Sequence, residues 1–204
     1  MIAPKEDVSL LLVLAGPAGS GKTTLCERMV EELENVERVV TCTTRQPREG
    51  EQDGVDYHFL DNGQFDRAIE TGAFLEWAKV HTNRYGVLKK SIQEKLDQHI
   101  DIVMNVDVQG VANIKAAAEQ DELLSKRLVT VFILPPDLEV VRERLRGRGK
   151  DDEAEIERRV QTAKGEVKLW PEFDYVITTK TKDEDYGSLL NIWRAEKLRS
   201  MRLG

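Results

Sequence analysis

Near its amino end the chain reads Gly16-Pro17-Ala18-Gly19-Ser20-Gly21-Lys22-Thr23, with Thr24 next. This is the pattern G-x-x-x-x-G-K-T, in which backbone N–H groups converge on phosphate oxygens at the positive end of a helix dipole. The apolar run at 10–15 predicts a buried parallel strand before it, and Leu25, Met29 and Leu33 predict a helix after it. The stretch therefore predicts a nucleoside triphosphate site, with Lys22 on the β- and γ-phosphates and the Thr23 hydroxyl on Mg²⁺.

Length and composition narrow the class of protein. The chain has 204 residues, a length that predicts one domain. Its net charge of −7 and its pI near 5.2 argue against a nucleic-acid partner bound by bulk charge. Cys26 and Cys42 have neither zinc-site nor CxxC spacing and are expected to be reduced thiols. The first residues do not resemble a signal peptide, and apolar runs stay well below the ~20 residues of a membrane span. We expect a cytoplasmic protein with no membrane partner.

Strand and helix patterns alternate along most of the chain. Strand candidates lie at 10–15, 39–43, 100–106, 128–134 and 175–178. The alternation predicts an α/β fold, a parallel sheet of the P-loop NTPase type flanked by helices. Two stretches interrupt it: residues 44–92 are polar and rich in glycine, and residues 147–168 are highly charged with little apolar periodicity. Both are expected to be excursions from the core that bind ligand or act as a lid.

A second phosphate site is predicted where the first excursion begins. Arg45 and Arg48 are three residues apart and joined through a proline, so two guanidinium groups lie side by side and suit a dianionic phosphate monoester. Thr41 and Tyr57 can add neutral donors. Taken alone, this string is equally compatible with an exposed loop of solvated arginines. Beside the phosphate loop it predicts the site of a phosphoryl acceptor.

With these motifs together, the chain resembles the guanylate kinases, which move a phosphoryl group from ATP to GMP. The matching segments are GPAGSGKTT at 16–24, TTRQPREGEQDGVDYHF at 43–59, FLEWAKVHTNRYG at 74–86, VDVQGVANIK at 106–115 and RLRGRG at 144–149, with two arginines at 158–159. The resemblance implies a single domain of three parts. These are a core (about 8–43, 93–146 and 169–204), an inserted GMP-binding subdomain (about 44–92) and a mobile lid (about 147–168).

The resemblance also implies roles for residues in the acceptor site. The phosphate of GMP would be held by Arg45, Arg48, Tyr57 and Tyr85. Glu76 would recognise guanine, and Asp107 would help to bind the base. Chemistry supports Glu76, because a carboxylate accepts two parallel hydrogen bonds from guanine N1–H and the 2-amino group, whereas adenine N1 carries a lone pair there. The alternative is a solvated Glu76, but its apolar neighbours in the sequence favour burial.

Catalysis is expected to use Lys22, Arg48 and two lid arginines, Arg148 and Arg159, which match the lid of the family. A loose transition state spreads charge over the transferred oxygens, so arginines delivered by a closing lid would stabilise it. We expect Arg146 and Arg158 to form surface salt bridges instead.

Three positions depart from the family pattern. Val87 stands where Ser or Thr usually reads guanine O6, and valine cannot donate a hydrogen bond. Asn105 replaces the first carboxylate of D-x-D, which removes charge near the water shell of the metal. Thr178 or Thr179 takes the place of an Asn near the adenine site.

The expected reaction is reversible, Mg²⁺-dependent transfer of the γ-phosphoryl group of ATP to GMP and dGMP, by a monomer or homodimer. One alternative is a kinase with a relaxed or altered acceptor, such as another purine monophosphate or a phosphorylated sugar. A second is a non-catalytic interaction domain of guanylate-kinase-like fold, against which the intact phosphate loop argues.

Overall fold

The computed structural model describes residues 8–80, 82–147 and 152–202. Its strands are, in chain order, β1 (Leu11–Ala15), β2 (Val36–Glu37), β3 (Cys42–Thr43), β4 (His58–Phe59), β5 (Phe74–Val80), β6 (Asn83–Leu88), β7 (Asp101–Asn105), β8 (Leu128–Leu134) and β9 (Tyr175–Thr178). Its α-helices are α1 (Lys22–Glu32), α2 (Asn62–Glu70), α3 (Lys89–Asp97), α4 (Val108–Ala118), α5 (Glu122–Arg127), α6 (Leu138–Gly147), α7 (Glu153–Glu166) and α8 (Lys182–Lys197). Short 3₁₀ helices cover Val167–Glu172 and Ser200–Arg202.

A parallel sheet of strand order β2-β7-β1-β8-β9 forms the core. Every residue of β1 is buried, as expected for a central strand covered by helices on both faces. One face packs against α1 and α8 and the other against α3, α4 and α5. This confirms the predicted α/β class. Among the described residues, no helix is long and apolar enough to span a membrane.

The second sheet has strand order β4-β3-β6-β5 and contains antiparallel pairs. The prediction of a strand at 39–43 in the core sheet is wrong, because only Cys42–Thr43 is a strand and it belongs to this second sheet. The edge of the core sheet is Val36–Glu37 instead. A short run of β-branched residues predicts extended backbone but does not identify the strand with which it pairs.

Helix α7 packs on α6 through an apolar stripe that the sequence analysis did not identify. Ile156, Val160 and Ala163 are buried against Val141 and Leu145. Their spacing of four and three residues is helical, but the charged residues between them hid the pattern. The two helices are also joined by ion pairs between Arg142 and Glu157 and between Arg146 and Glu153.

Candidate active site

The phosphate loop connects β1 to α1 at the carboxyl edge of the core sheet. Gly16 has φ +138° and passes so close to β8 that a β-carbon there would lie 2.4 Å from the carbonyl oxygen of Ile133. Gly21 adopts a left-handed conformation (φ +104°) and caps α1. Only glycine adopts such conformations readily, so these positions explain why the loop needs glycine.

Lys22 lies at the start of α1 and folds back over the loop. Its Nζ donates hydrogen bonds to the carbonyl oxygens of Gly16 (2.6 Å) and Pro17 (2.9 Å). Thr23 and Thr24 are exposed in the first turn of α1. From α6, Arg144 Nη1 donates to the carbonyl oxygen of Gly19 at 3.3 Å. Arg144 begins the RLRGRG segment, but no motif predicted it as a site residue.

A cleft of about 460 Å³ lies between the phosphate loop and the second sheet. It brings together half of the residues predicted for the acceptor and donor sites: Gly16, Ala18, Lys22, Thr41, Tyr57, Glu76, Tyr85 and Asp107. It is also lined by residues that the sequence analysis did not assign to a site, Arg38 and Glu166, and by the two departures Val87 and Asn105.

Arg45 is held beside the tyrosines by an acidic residue that the sequence analysis missed. Glu51 accepts from Arg45 Nη2 (2.8 Å) and from the backbone N–H of Arg48 (2.7 Å). The ion pair with Glu51 raises the pKa of Arg45. The Arg45 guanidinium lies 5.3 Å from the ring centre of Tyr57, whose ring is in turn 6.1 Å from that of Tyr85. Arg48 is exposed, and neither Arg45 nor Arg48 is among the residues that line the cleft.

Glu76, on β5, is a buried carboxyl group with only 8% of its surface exposed. Burial, together with the negative charge of Asp107, raises its pKa to about 7. Within the described residues no hydrogen bond reaches its carboxylate. Asp107 caps α4, with Oδ1 accepting from the backbone N–H of Gly110 at 2.7 Å. A buried, unsatisfied carboxylate is costly to a fold and indicates a ligand site.

Two of the three departures from the family pattern, Val87 and Asn105, lie in the same cleft. Val87 is 2% exposed and pairs with Glu76 across the β5–β6 ladder, so it places an apolar group beside the carboxylate. Asn105, the last residue of β7, has an Oδ1 atom that is buried and makes no hydrogen bond to a described residue.

Of the two arginines predicted to act from the lid, the structure describes Arg159 but not Arg148. Arg148 lies outside the described residues. Arg159 Nε donates to Glu155 Oε1 at 2.9 Å. At the surface, Arg146 pairs with Glu153 and Arg158 pairs with Glu155, as expected.

Glu166 lies at the carboxyl end of α7 and lines the cleft. Burial raises the pKa of Glu166, and the positive charge of Lys22 opposes that shift. No motif predicted Glu166 as a site residue. It lies seven residues after Arg159, and it reaches the cleft only because α7 packs on α6.

A separate cavity of about 400 Å³ lies on the other side of the phosphate loop, lined by Gly19, Gly21, Thr24, Arg28, Arg144 and Lys180 among others. Thr179 is 2% exposed, and its hydroxyl lacks a hydrogen-bond partner among the described residues, whereas Thr178 is exposed.

Comparison with known proteins agrees with this geometry. The guanylate kinase family model matches residues 9–196. The chain is 40% identical over 193 residues to a guanylate kinase of Sphingopyxis alaskensis, covering 95% of this chain and 85% of the relative, and 39% identical to that of Caulobacter vibrioides, covering 95% and 88%. The crystal structure of guanylate kinase from Anaplasma phagocytophilum superposes with a TM-score of 0.72 at 30% identity, over 98% of this chain and 92% of the other. The chain therefore belongs to the guanylate kinase family, the ATP-dependent kinases of nucleoside monophosphates.

Proposed function

We propose that this chain transfers the γ-phosphoryl group of ATP to GMP, and to dGMP, with the donor on the phosphate loop and the acceptor in the cleft beside it. The observation that carries the proposal is Glu76, a buried carboxyl group without a hydrogen-bond partner among the described residues, in a cleft that also contains Lys22. Guanine N1–H and its 2-amino group would supply the two hydrogen bonds that this carboxylate lacks. Val87 offers no donor to O6, so selection of the base would rest on Glu76.

The donor would lie on the loop of residues Gly16, Pro17, Ala18, Gly19, Ser20, Gly21, Lys22, Thr23 and Thr24. Lys22 now donates to two loop carbonyl oxygens. It would turn to the β- and γ-phosphates when these arrive, since phosphate oxygens are stronger acceptors for an ammonium group. The backbone N–H groups at the start of α1 would receive the remaining oxygens.

The acceptor phosphate would be held from the second sheet, within the proposed GMP-binding subdomain at 44–92. Arg45, already oriented by Glu51, would form a bidentate pair with the phosphate, and the exposed Arg48 would add a second guanidinium group. Thr41, Tyr57 and Tyr85 would add hydroxyl donors, and these three side chains line the cleft. The phosphate of GMP is already an anionic nucleophile, so no general base is required.

The lid at 147–168 would bring Arg148 and Arg159 to the transferred group. The charge that develops on the equatorial oxygens would be neutralised by these arginines together with Lys22 and Arg48. The lid arginines would reach the transferred group only when both substrates are bound. This requirement would limit hydrolysis of ATP by water.

Oxygen atoms suited to Mg²⁺ are present beside the loop. The Thr23 hydroxyl is exposed at the start of α1, and Asn105 Oδ1 is buried without a hydrogen-bond partner among the described residues. When bound, Mg²⁺ would neutralise phosphate charge. Thr23 would hold it directly and Asn105 would orient its water shell. The two cysteines are buried free thiols whose pKa values burial raises, which supports a reducing, cytoplasmic environment.

The test is release of ADP in a coupled assay with ATP, Mg²⁺ and GMP. We expect turnover that depends on GMP, is lost in Lys22→Ala and is retained in Lys90→Ala. The latter removes a lysine that is 83% exposed on α3, outside the cleft. ADP release that does not increase when GMP is added, or Lys22→Ala activity equal to wild type, would contradict the proposal.

A further inference from the structure

Arg38 is a cation in the cleft that neither the motifs nor the roles above include. It follows β2 directly, its side chain is exposed, and it lines the same cleft as Lys22, Thr41 and Asn105. None of the described carboxylates forms an ion pair or a hydrogen bond with it. An arginine that lines a ligand cleft with its charge unneutralised is suited to an anion.

The pleat of the sheet shows which side of the cleft Arg38 faces. Val36 packs in the cluster on the α1 side, together with Cys26 and Val103, whereas Val39 packs in the cluster on the opposite side. Because side chains alternate along an extended chain, Arg38 faces α1. The charges of Arg38 and Lys22 both act on Cys26, against the burial that raises the pKa of this thiol to about 12. Arg38 and Lys22 therefore lie on the same side of the cleft.

Glu76 lies on the other side. Its carboxyl group is next to Gly110, at the start of α4, and α4 covers the opposite face of the core sheet. A nucleotide whose base is read by Glu76 and whose phosphate points toward the loop would therefore present its phosphate, rather than its base, to Arg38.

Asn105 is a neutral side chain that lines the same cleft as Arg38. It pairs in register with Leu14 of the α1-side cluster, so it lies on the same face as Arg38, on the strand adjacent to β2. A carboxylate at this position would be a natural ion-pair partner for Arg38. The neutral amide leaves the guanidinium charge to act on a ligand.

We propose that Arg38 binds the phosphate of the acceptor nucleotide at the point where it meets the donor, as a cation additional to Arg45 and Arg48. The inference rests on the proposed function, because it assumes that the acceptor is a nucleoside monophosphate with its base at Glu76. Arg38 touches the reacting phosphate group in this arrangement, and the neutral side chain of Asn105 does not cancel its charge there.

The test is calorimetric titration with GMP and with guanosine, without ATP or Mg²⁺, of wild type, Arg38→Ala, Arg38→Lys and a control, Arg194→Ala. Arg194 is an exposed arginine on α8 outside the cleft, so the control removes the same charge. We expect Arg38→Ala to weaken GMP binding at least about tenfold, as for loss of a charge-assisted hydrogen bond. Guanosine binding should be unchanged, Arg38→Lys should recover part of the loss, and Arg194→Ala should match wild type.

Equal affinity of Arg38→Ala and Arg194→Ala for GMP would overturn the inference and leave the proposed function standing. So would an equal loss for GMP and guanosine, because it would indicate a role in the base site or in folding. A separate titration of the same proteins with a non-hydrolysable ATP analogue and Mg²⁺ covers the donor site. If Arg38→Ala weakened binding of that analogue but not of GMP, Arg38 would belong to the donor site and the inference would be overturned as well. Failure of the wild type to bind GMP would instead overturn the proposed function and the inference together.

Discussion

The carboxyl group of Glu76 lies 3.2 Å from the position that a β-carbon on Gly110 would occupy. Gly110 is in the first turn of α4, three residues after its cap Asp107. The absence of a side chain at this glycine creates the space for the carboxyl group. The helix that closes one end of the cleft is thus fitted to the residue proposed to read the base.

Gly110→Ala should separate stability from recognition. Alanine favours a helix by about 1 kcal/mol over glycine, and this gain opposes the cost of crowding the new methyl group against its neighbours. The free energy of unfolding should therefore stay near that of wild type. The added methyl group would also contact Val106 at 3.1 Å and would displace the Glu76 carboxyl by a few tenths of an ångström. We expect KM for GMP to rise several-fold while KM for ATP is unchanged. Steady-state kinetics and chemical denaturation of the same sample check both statements, and an unchanged KM for GMP would contradict this use of the space.

The affinity for GMP should depend on the protonation of Glu76. Burial raises its pKa to about 7 in the unliganded protein, and the protonated form presents an O–H group where guanine needs two acceptors. Affinity should therefore decrease as pH falls, roughly tenfold between pH 8 and pH 6. Because the phosphate of GMP also titrates near pH 6, Glu76→Gln serves as the control and should retain only the phosphate contribution. Identical pH profiles for the two proteins would refute the assignment.

The raised pKa of Glu76 should affect stability in the direction opposite to its effect on GMP affinity, so that the fold is more stable at low pH. A carboxyl group whose folded pKa is raised stabilises the fold at low pH, and this contribution is lost as pH rises through about 7. The free energy of unfolding of wild type relative to Glu76→Gln should therefore decrease from pH 5 to pH 8. Urea denaturation of both proteins at several pH values measures it, and a difference that does not change with pH would contradict the raised pKa.

Gly16→Ala should destabilise the whole domain. The position requires φ +138°, and its β-carbon would meet the backbone oxygen of Ile133 at 2.4 Å, so either the loop or β8 must move. We expect a loss of roughly 3 kcal/mol in the free energy of unfolding. Gly187→Ala is the matched control, because Gly187 is in helix α8 with open space around its α-carbon, and it should be neutral or stabilising. Equal stability of the two variants would show that the loop does not need this close approach.

Arg159 and Arg146 should behave differently although both pair with glutamates of α7. Arg159→Ala should lower kcat about a hundredfold if its guanidinium stabilises the transferred group when the lid closes. Arg146→Ala should leave kcat unchanged, and it should leave the free energy of unfolding nearly unchanged because exposed ion pairs contribute little. Steady-state kinetics at saturating ATP and GMP checks the pair, and equal kcat values for the two variants would contradict the proposed role of Arg159.

The phosphate loop and its flanking elements could be predicted because their determinants are local. The glycine positions, the apolar strand and the helical spacing all lie within residues 10–33. The prediction for 39–43 failed because strand pairing is a tertiary property, and β3 finds its partners at β4 and β6. The stripe on α7 was missed because ion-paired charges surround it.

Glu166 and Arg38 were missed because their neighbours in space are far away in sequence. Glu166 comes near Lys22 only when α7 packs on α6, and Arg38 enters the cleft only because β2 pairs with β7. Glu51 is an exception, since it lies within the quoted TTRQPREGE string, but its role in orienting Arg45 needed the fold of the loop. Motifs find groups whose function is encoded by spacing, whereas positioning residues depend on packing.

The geometry of the cleft predicts that Glu76 selects GMP as the acceptor. The most direct measurement is a coupled ADP-release screen of the wild type across GMP, dGMP, IMP, AMP, UMP and CMP. We expect the highest kcat/KM for GMP and dGMP, and little turnover of AMP, because adenine offers a lone pair to a buried carboxylate. A higher kcat/KM for AMP, UMP or CMP than for GMP would contradict it.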